Sequence, residues 1–134
     1  MRLNAPLLAA LVIGGAAIVA CGSDDASLSE LDGTAWGEAS VVGYELAGTL
    51  DIVFDGDSIS VTGGCNTMNG AYSIDGGVLT AGPLAMTMMA CPDALMDQDS
   101  WFGDLLDTGL DAMMDGEDLV LSSDDVAIRM QPVS

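Results

Sequence analysis

A mainly β domain carrying one α-helix is what three observations in the chain predict. Asp-Gly pairs stand at Asp55-Gly56, Asp75-Gly76 and Asp115-Gly116; apolar residues alternate with polar ones around them; and a single longer stretch after Pro92 repeats its apolar residues at helical spacing. Short antiparallel strands joined by tight turns leave unpaired edges. A sheet that curls toward a barrel-like closure hides those edges most completely.

The elements follow in order. Leu50, Ile52 and Phe54 alternate with Thr49, Asp51 and Val53, and Ile59 and Val61 alternate again beyond Asp55-Gly56, which predicts a first hairpin. Tyr72 and Ile74 before Asp75-Gly76-Gly77, with Val78-Leu79 after it, predict a second. Met113-Met114, Asp115-Gly116 and Leu119-Val120-Leu121 predict a third, and Ser122-Ser123-Asp124-Asp125 turns into a last strand around Val126, Ile128 and Met130. These runs make a sheet of about six strands. Gly63-Gly64 marks a place where a strand kinks or another backbone comes close. The helix is expected from Pro92 to Thr108. Proline suits its first position, Asp93 suits the positive end of its dipole, Leu95, Phe102, Leu105 and Leu106 share a face, and Gly109 stops it.

The first twenty residues have the layout of an export signal, with Arg2 ahead of an uncharged apolar stretch from Ala5 to Ala20. That stretch is interrupted by Gly14-Gly15 and is short for a spanning helix of ~20 residues. Ile18-Val19-Ala20-Cys21 resembles a bacterial lipobox, so residues 1–20 are expected to be removed and Cys21 to be lipidated. Several acyl chains give stable anchoring where one gives only marginal binding. Residues 21–30, acidic and without hydrophobic periodicity, read as a flexible tether, and residues 31–134 as one folded domain. The expected location is the cell envelope, lipid-anchored to a membrane on its periplasmic or extracytoplasmic side.

Composition narrows the chemistry. The chain has 21 acidic residues against two basic ones, for a net charge of −19, and it has neither lysine nor histidine. Loss of Arg2 with the signal would leave Arg129 as the one basic residue. Ser-His-Asp and Cys-His catalysis, Schiff-base lysines, phosphate-loop lysines and histidine zinc sites are all excluded. Nucleic acid is excluded as a partner, because its phosphates must be met by cations that this surface lacks.

Three segments carry a resemblance. Leu31-Asp32-Gly33-Thr34-Ala35-Trp36, then Gly64-Cys65-Asn66 with Asn69-Gly70-Ala71-Tyr72, then Thr87-Met88-Met89-Ala90-Cys91 ahead of a helix, resemble the META domain family, which includes HslJ-like heat-shock lipoproteins. The resemblance implies an antiparallel lipocalin-like barrel or half-barrel of short strands with one α-helix, an envelope location, a link in some members to heat or antibiotic stress, and no enzymatic activity. It makes Trp36, Asn66, Asn69 and Tyr72 the motif residues to examine for binding. By their own chemistry, Trp36 reads as a core anchor at the start of the first strand, and Asn66 and Asn69 as residues flanking a turn and bonding the local backbone.

Cys65 and Cys91 remain once Cys21 is lipidated, and in an exported chain two such cysteines are expected to pair. The other reading is two buried small hydrophobes. An alternative function is metal binding. Met86, Met88 and Met89 stand near Cys91 and Met68 near Cys65, and soft sulfur donors select Cu(I), although strand alternation would put Met89 on the face opposite Met86 and Met88. Asp93, Asp97, Asp104, Asp107 and Asp111 recur at near-helical spacing, which raises calcium or a carboxylate pair, but neither pattern is specific and a solvated acidic face explains the spacing without function. The expectation is therefore a non-enzymatic envelope protein without a cofactor, acting through a small apolar ligand or an envelope protein partner. A barrel with an open apolar cavity favours the ligand, and a barrel filled by its own side chains favours a partner on the outer surface.

Overall fold

The computed structural model describes residues 31–133; the expected signal, the lipidation at Cys21 and the tether lie outside the described residues. The strands are β1 (Ala35–Val42), β2 (Asp51–Asp55), β3 (Ser58–Thr62), β4 (Thr67–Asp75), β5 (Val78–Ala81), β6 (Ala85–Met86), β7 (Leu110–Asp115), β8 (Asp118–Ser122) and β9 (Ala127–Val133). Among the described residues one helix, α1 (Asp93–Thr108), lies between β6 and β7.

All strand pairings are antiparallel, in the order β3-β2-β1-β9-β8-β7-β5-β4-β6, and a further β3–β4 pairing joins the two sides into a closed barrel. β6 is a two-residue addition beside the start of β4, pairing Met68 with Met86. Closure leaves the eight longer strands without a free edge, which is the economy that the short strands and turns anticipate. The sheet holds nine strands rather than about six, because β1 and the two-residue β6 stand beside the three hairpins and the last strand.

Each expected hairpin is present. The two-residue loops are Gly56-Asp57, Gly76-Gly77 and Gly116-Glu117, and their first residues have φ of 63°, 63° and 64°. Such turns need positive φ, which glycine adopts without a Cβ penalty.

Alternation sorts the side chains as the period of two requires. Ile52, Phe54, Ile59, Val61, Leu79, Leu119, Leu121, Ile128 and Met130 point inward and are fully or almost fully buried, while their neighbours Val53, Asp55 and Ser58 face out. The helix lies across the barrel end where β3 stops and β4 begins. Phe102 and Leu106 enter the core there, and Trp101 stacks on Tyr44 with ring centroids 3.8 Å apart. Leu95 and Leu105, expected on the same face, are half-buried at its margins. The barrel is thus filled by its own side chains.

Gly63-Gly64 marks the close approach that the sequence anticipates. A Cβ on Gly63 would lie 2.7 Å from the Leu50 Cα, and one on Gly64 would lie 2.6 Å from the Leu95 carbonyl oxygen. The absence of side chains lets this loop pass between β2 and α1.

Candidate functional site

The motif segments meet at one end of the barrel. Cys65 and Cys91 are joined by a disulfide with a Cα–Cα distance of 5.9 Å, which ties the loop before β4 to the residue ahead of α1. Beside it Asn66 is buried. Its carbonyl oxygen accepts the Thr87 hydroxyl at 2.9 Å and the Met89 backbone N–H at 2.7 Å. Thr67 N–H donates to the Thr87 hydroxyl oxygen and Thr87 N–H donates to the Thr67 carbonyl, so the two segments are laced together next to the bridge.

Two residues that the sequence did not single out hold this arrangement to the helix. Asp99 Oδ2 accepts the backbone N–H groups of Cys65 and Asn66, at 3.1 and 2.8 Å, and the Asn66 side-chain amide at 3.4 Å. One helical position earlier, Gln98 Oε1 accepts the N–H groups of Ala47 and Gly48, and its Nε2 donates to the Thr49 carbonyl. Both side chains are buried. Buried backbone groups without partners are costly, so two polar side chains on α1 satisfy loops that no strand pairs. The signal was legible only in retrospect: positions 98 and 99 fall in register with Leu95, Phe102 and Leu106, where a helix normally buries apolar groups.

The structure corrects several expectations. Asn66 and Asn69 do not flank a turn, because β4 begins at Thr67 and Asn69 is an exposed strand residue opposite Ser60 and Ala85. Asn66 bonds residues twenty or more positions away rather than its local backbone, since the segment after it extends as a strand. Trp36, at the start of β1, is 5 % exposed, and its Nε1 donates to the Thr34 hydroxyl. Tyr72 is half-buried further along β4, set edge-on against Phe54 with centroids 4.9 Å apart. Burial, then the negative charges of Asp32 and Asp57, raise its phenol above the ordinary tyrosine value.

The sulfur residues do not converge either. Disulfide formation takes both thiols out of any Cu(I) donor set, and Met88 is 92 % exposed. Strand alternation does not govern Met88 and Met89, because β6 ends at Met86. Of the five spaced carboxylates, Asp93, Asp97, Asp104 and Asp107 are exposed on α1, whereas Asp111 belongs to β7. Among the described residues no three His, Cys, Asp or Glu side chains gather as metal ligands.

A closed antiparallel barrel, one helix across its end and a disulfide beneath that helix define a small disulfide-stapled barrel domain. The family model described as META domain matches residues 29–133, and the chain belongs to that family. Among solved structures, one described as "NMR structure of the protein" is 23 % identical, covers 77 % of this chain and 92 % of its own, and superposes with a TM-score of 0.63. A second, an NMR structure of a protein from Burkholderia xenovorans, is 16 % identical, covers 100 % of this chain and 98 % of its own, and has a TM-score of 0.65. At these identities the likeness is one of fold. No curated protein matches the chain.

Proposed function

We propose that this is a lipid-anchored cell-envelope protein, acylated at Cys21, whose META domain acts without catalysis by binding a partner protein in envelope integrity or the response to stress. The observation that carries the binding reading is the filled barrel. Ile52, Phe54, Ile59, Leu79, Leu119, Leu121, Ile128 and Met130 occupy the interior, leaving the outer surface for recognition. The buried polar groups Asn66, Gln98 and Asp99 are spent on backbone anchoring, which supports a scaffold over a reaction centre. The Ile18-Val19-Ala20-Cys21 segment supports the anchor, and the absence of histidine and lysine supports binding over catalysis.

Membrane fractionation of cells expressing the full chain tests the anchor. The protein is expected in the membrane fraction with an acylated Cys21 at its amino terminus by mass spectrometry, and Cys21→Ala is expected to abolish both. An unmodified Cys21 behind an uncleaved leader overturns the reading.

A further inference from the structure

The chain running from β6 into the first turn of α1 turns its methionines to solvent. Met88 is 92 % exposed, and Met86, Met89 and Met96 are exposed around it; Met113, on β7, is the other exposed methionine among the described residues. None of the four packs against the core. The backbone beneath them is nevertheless pinned: Thr87 N–H donates to the Thr67 carbonyl, Met89 N–H donates to the buried Asn66 side chain, and Cys91 is tied to Cys65. The thioethers are therefore held at the surface by contacts in which their own side chains take no part.

Other groups that react readily with two-electron oxidants are withheld. Cys65 and Cys91 are joined in the disulfide, and the chain has neither histidine nor lysine. Trp36 is buried, and Trp101 is half-buried in its stack on Tyr44. Met68 and Met130 lie fully within the core. An oxidant must reach a sulfur to react with it, so one arriving from solvent meets the thioethers between positions 86 and 96 before it meets the interior.

We propose that Met86, Met88, Met89 and Met96 form a modification site that reduces hypohalous acids and so spares the aromatic and core residues behind it. The thioether sulfur attacks the chlorine of hypochlorous acid, an S–Cl bond forms, the Cl–O bond breaks and hydroxide leaves. Water then adds to the sulfur as chloride departs, with loss of its protons. One thioether and one hypochlorous acid thus give one sulfoxide, one chloride and one proton; the sulfur is oxidised by two electrons and the chlorine reduced by two. Each sulfur acts singly, so the four need not converge. Methionine sulfoxide reductases return the sulfoxides to thioethers, which makes the site renewable. The added oxygen points to water, so no polar group is buried and the fold is undisturbed. The inference goes beyond the proposed function and uses neither its anchor nor its partner, so the fractionation result leaves it standing or falling on its own.

The test treats the folded full-length protein, in a nonionic detergent, with limiting hypochlorous acid and maps the products by peptide mass spectrometry. Met88 is expected to be oxidised first, at least roughly tenfold faster than Met68 and Met130. The melting temperature of the product is expected to stay within about 3 °C of the parent, as for other changes at the surface. The Met86→Leu/Met88→Leu/Met89→Leu/Met96→Leu variant is expected to lose tryptophan fluorescence at roughly half the oxidant dose or less, because its fast reductants are gone. The product map of the parent stands whether or not that variant folds. Sulfoxide spread evenly over exposed and buried methionines, a melting temperature that falls in step with sulfoxide content, or tryptophan loss at the same dose in parent and folded variant would each overturn the site.

Discussion

Asp99 on α1 holds Asn66 by two groups at once, accepting its backbone N–H at 2.8 Å and its side-chain amide at 3.4 Å through the same Oδ2. The Asn66 carbonyl oxygen is left to bind the segment carrying Thr87 and Met89, so one buried pair joins the helix, the loop before β4 and the chain running into Cys91.

Removal of the acceptor should therefore cost more than its surface charge would suggest. Asp99→Ala leaves the N–H groups of Cys65 and Asn66 without their partner and is expected to destabilise the fold by about 2 to 4 kcal/mol in denaturant unfolding. Asp99→Asn keeps an acceptor oxygen and should cost less. Asp97→Asn, two positions earlier on the same helix and exposed, should stay within about 0.5 kcal/mol of the parent. Equal effects at positions 97 and 99 would remove the anchoring role.

The disulfide spans a sequence separation of 26 residues. The chain-entropy relation gives about 3 to 4 kcal/mol for a loop of that length, so the Cys65→Ala/Cys91→Ala double variant should lose stability of that order. Thiol titration of the folded, oxidised parent should find neither cysteine free. Two reactive thiols there would refute the bridge.

Tyr72 makes the fold sensitive to alkali. Its phenol is raised in the folded state, chiefly by burial and then by Asp32 and Asp57, so folding favours the protonated form. The associated stability is complete below the unfolded tyrosine value of ~10 and is lost as pH climbs through the folded value. Unfolding measured across that range should show a steeper alkaline loss in the parent than in Tyr72→Phe, which retains only Tyr44 as a phenol. Superimposable profiles for the two proteins would contradict this.

Like charges on α1 predict a salt response. Asp93, Asp97, Asp104 and Asp107 are all exposed on one helix, and screening weakens their mutual repulsion within a Debye length of ~10 Å at 0.1 M salt. Thermal unfolding should move to higher temperature as sodium chloride is added. A melting temperature indifferent to salt would rule out helix-face repulsion as a significant cost.

The local features were legible because they are decided by neighbours in sequence. Asp55-Gly56, Asp75-Gly76 and Asp115-Gly116 place glycine where positive φ is required, alternation around Ile52, Phe54, Leu119 and Ile128 selects the inward face, and Pro92 and Gly109 bracket the helix. What tertiary structure alone decided is the pairing of β3 with β4, which closes the barrel, and the use of Gln98 and Asp99 on a helix face otherwise read as apolar. It also made Asn66 a long-range partner of Thr87 and Met89 and drew Asn69 into a strand. The physical reason is common to these cases. A turn or an alternating strand depends on each residue's own backbone preferences, whereas a buried amide or carboxylate takes its role from whichever unpaired backbone groups the closed fold brings to it.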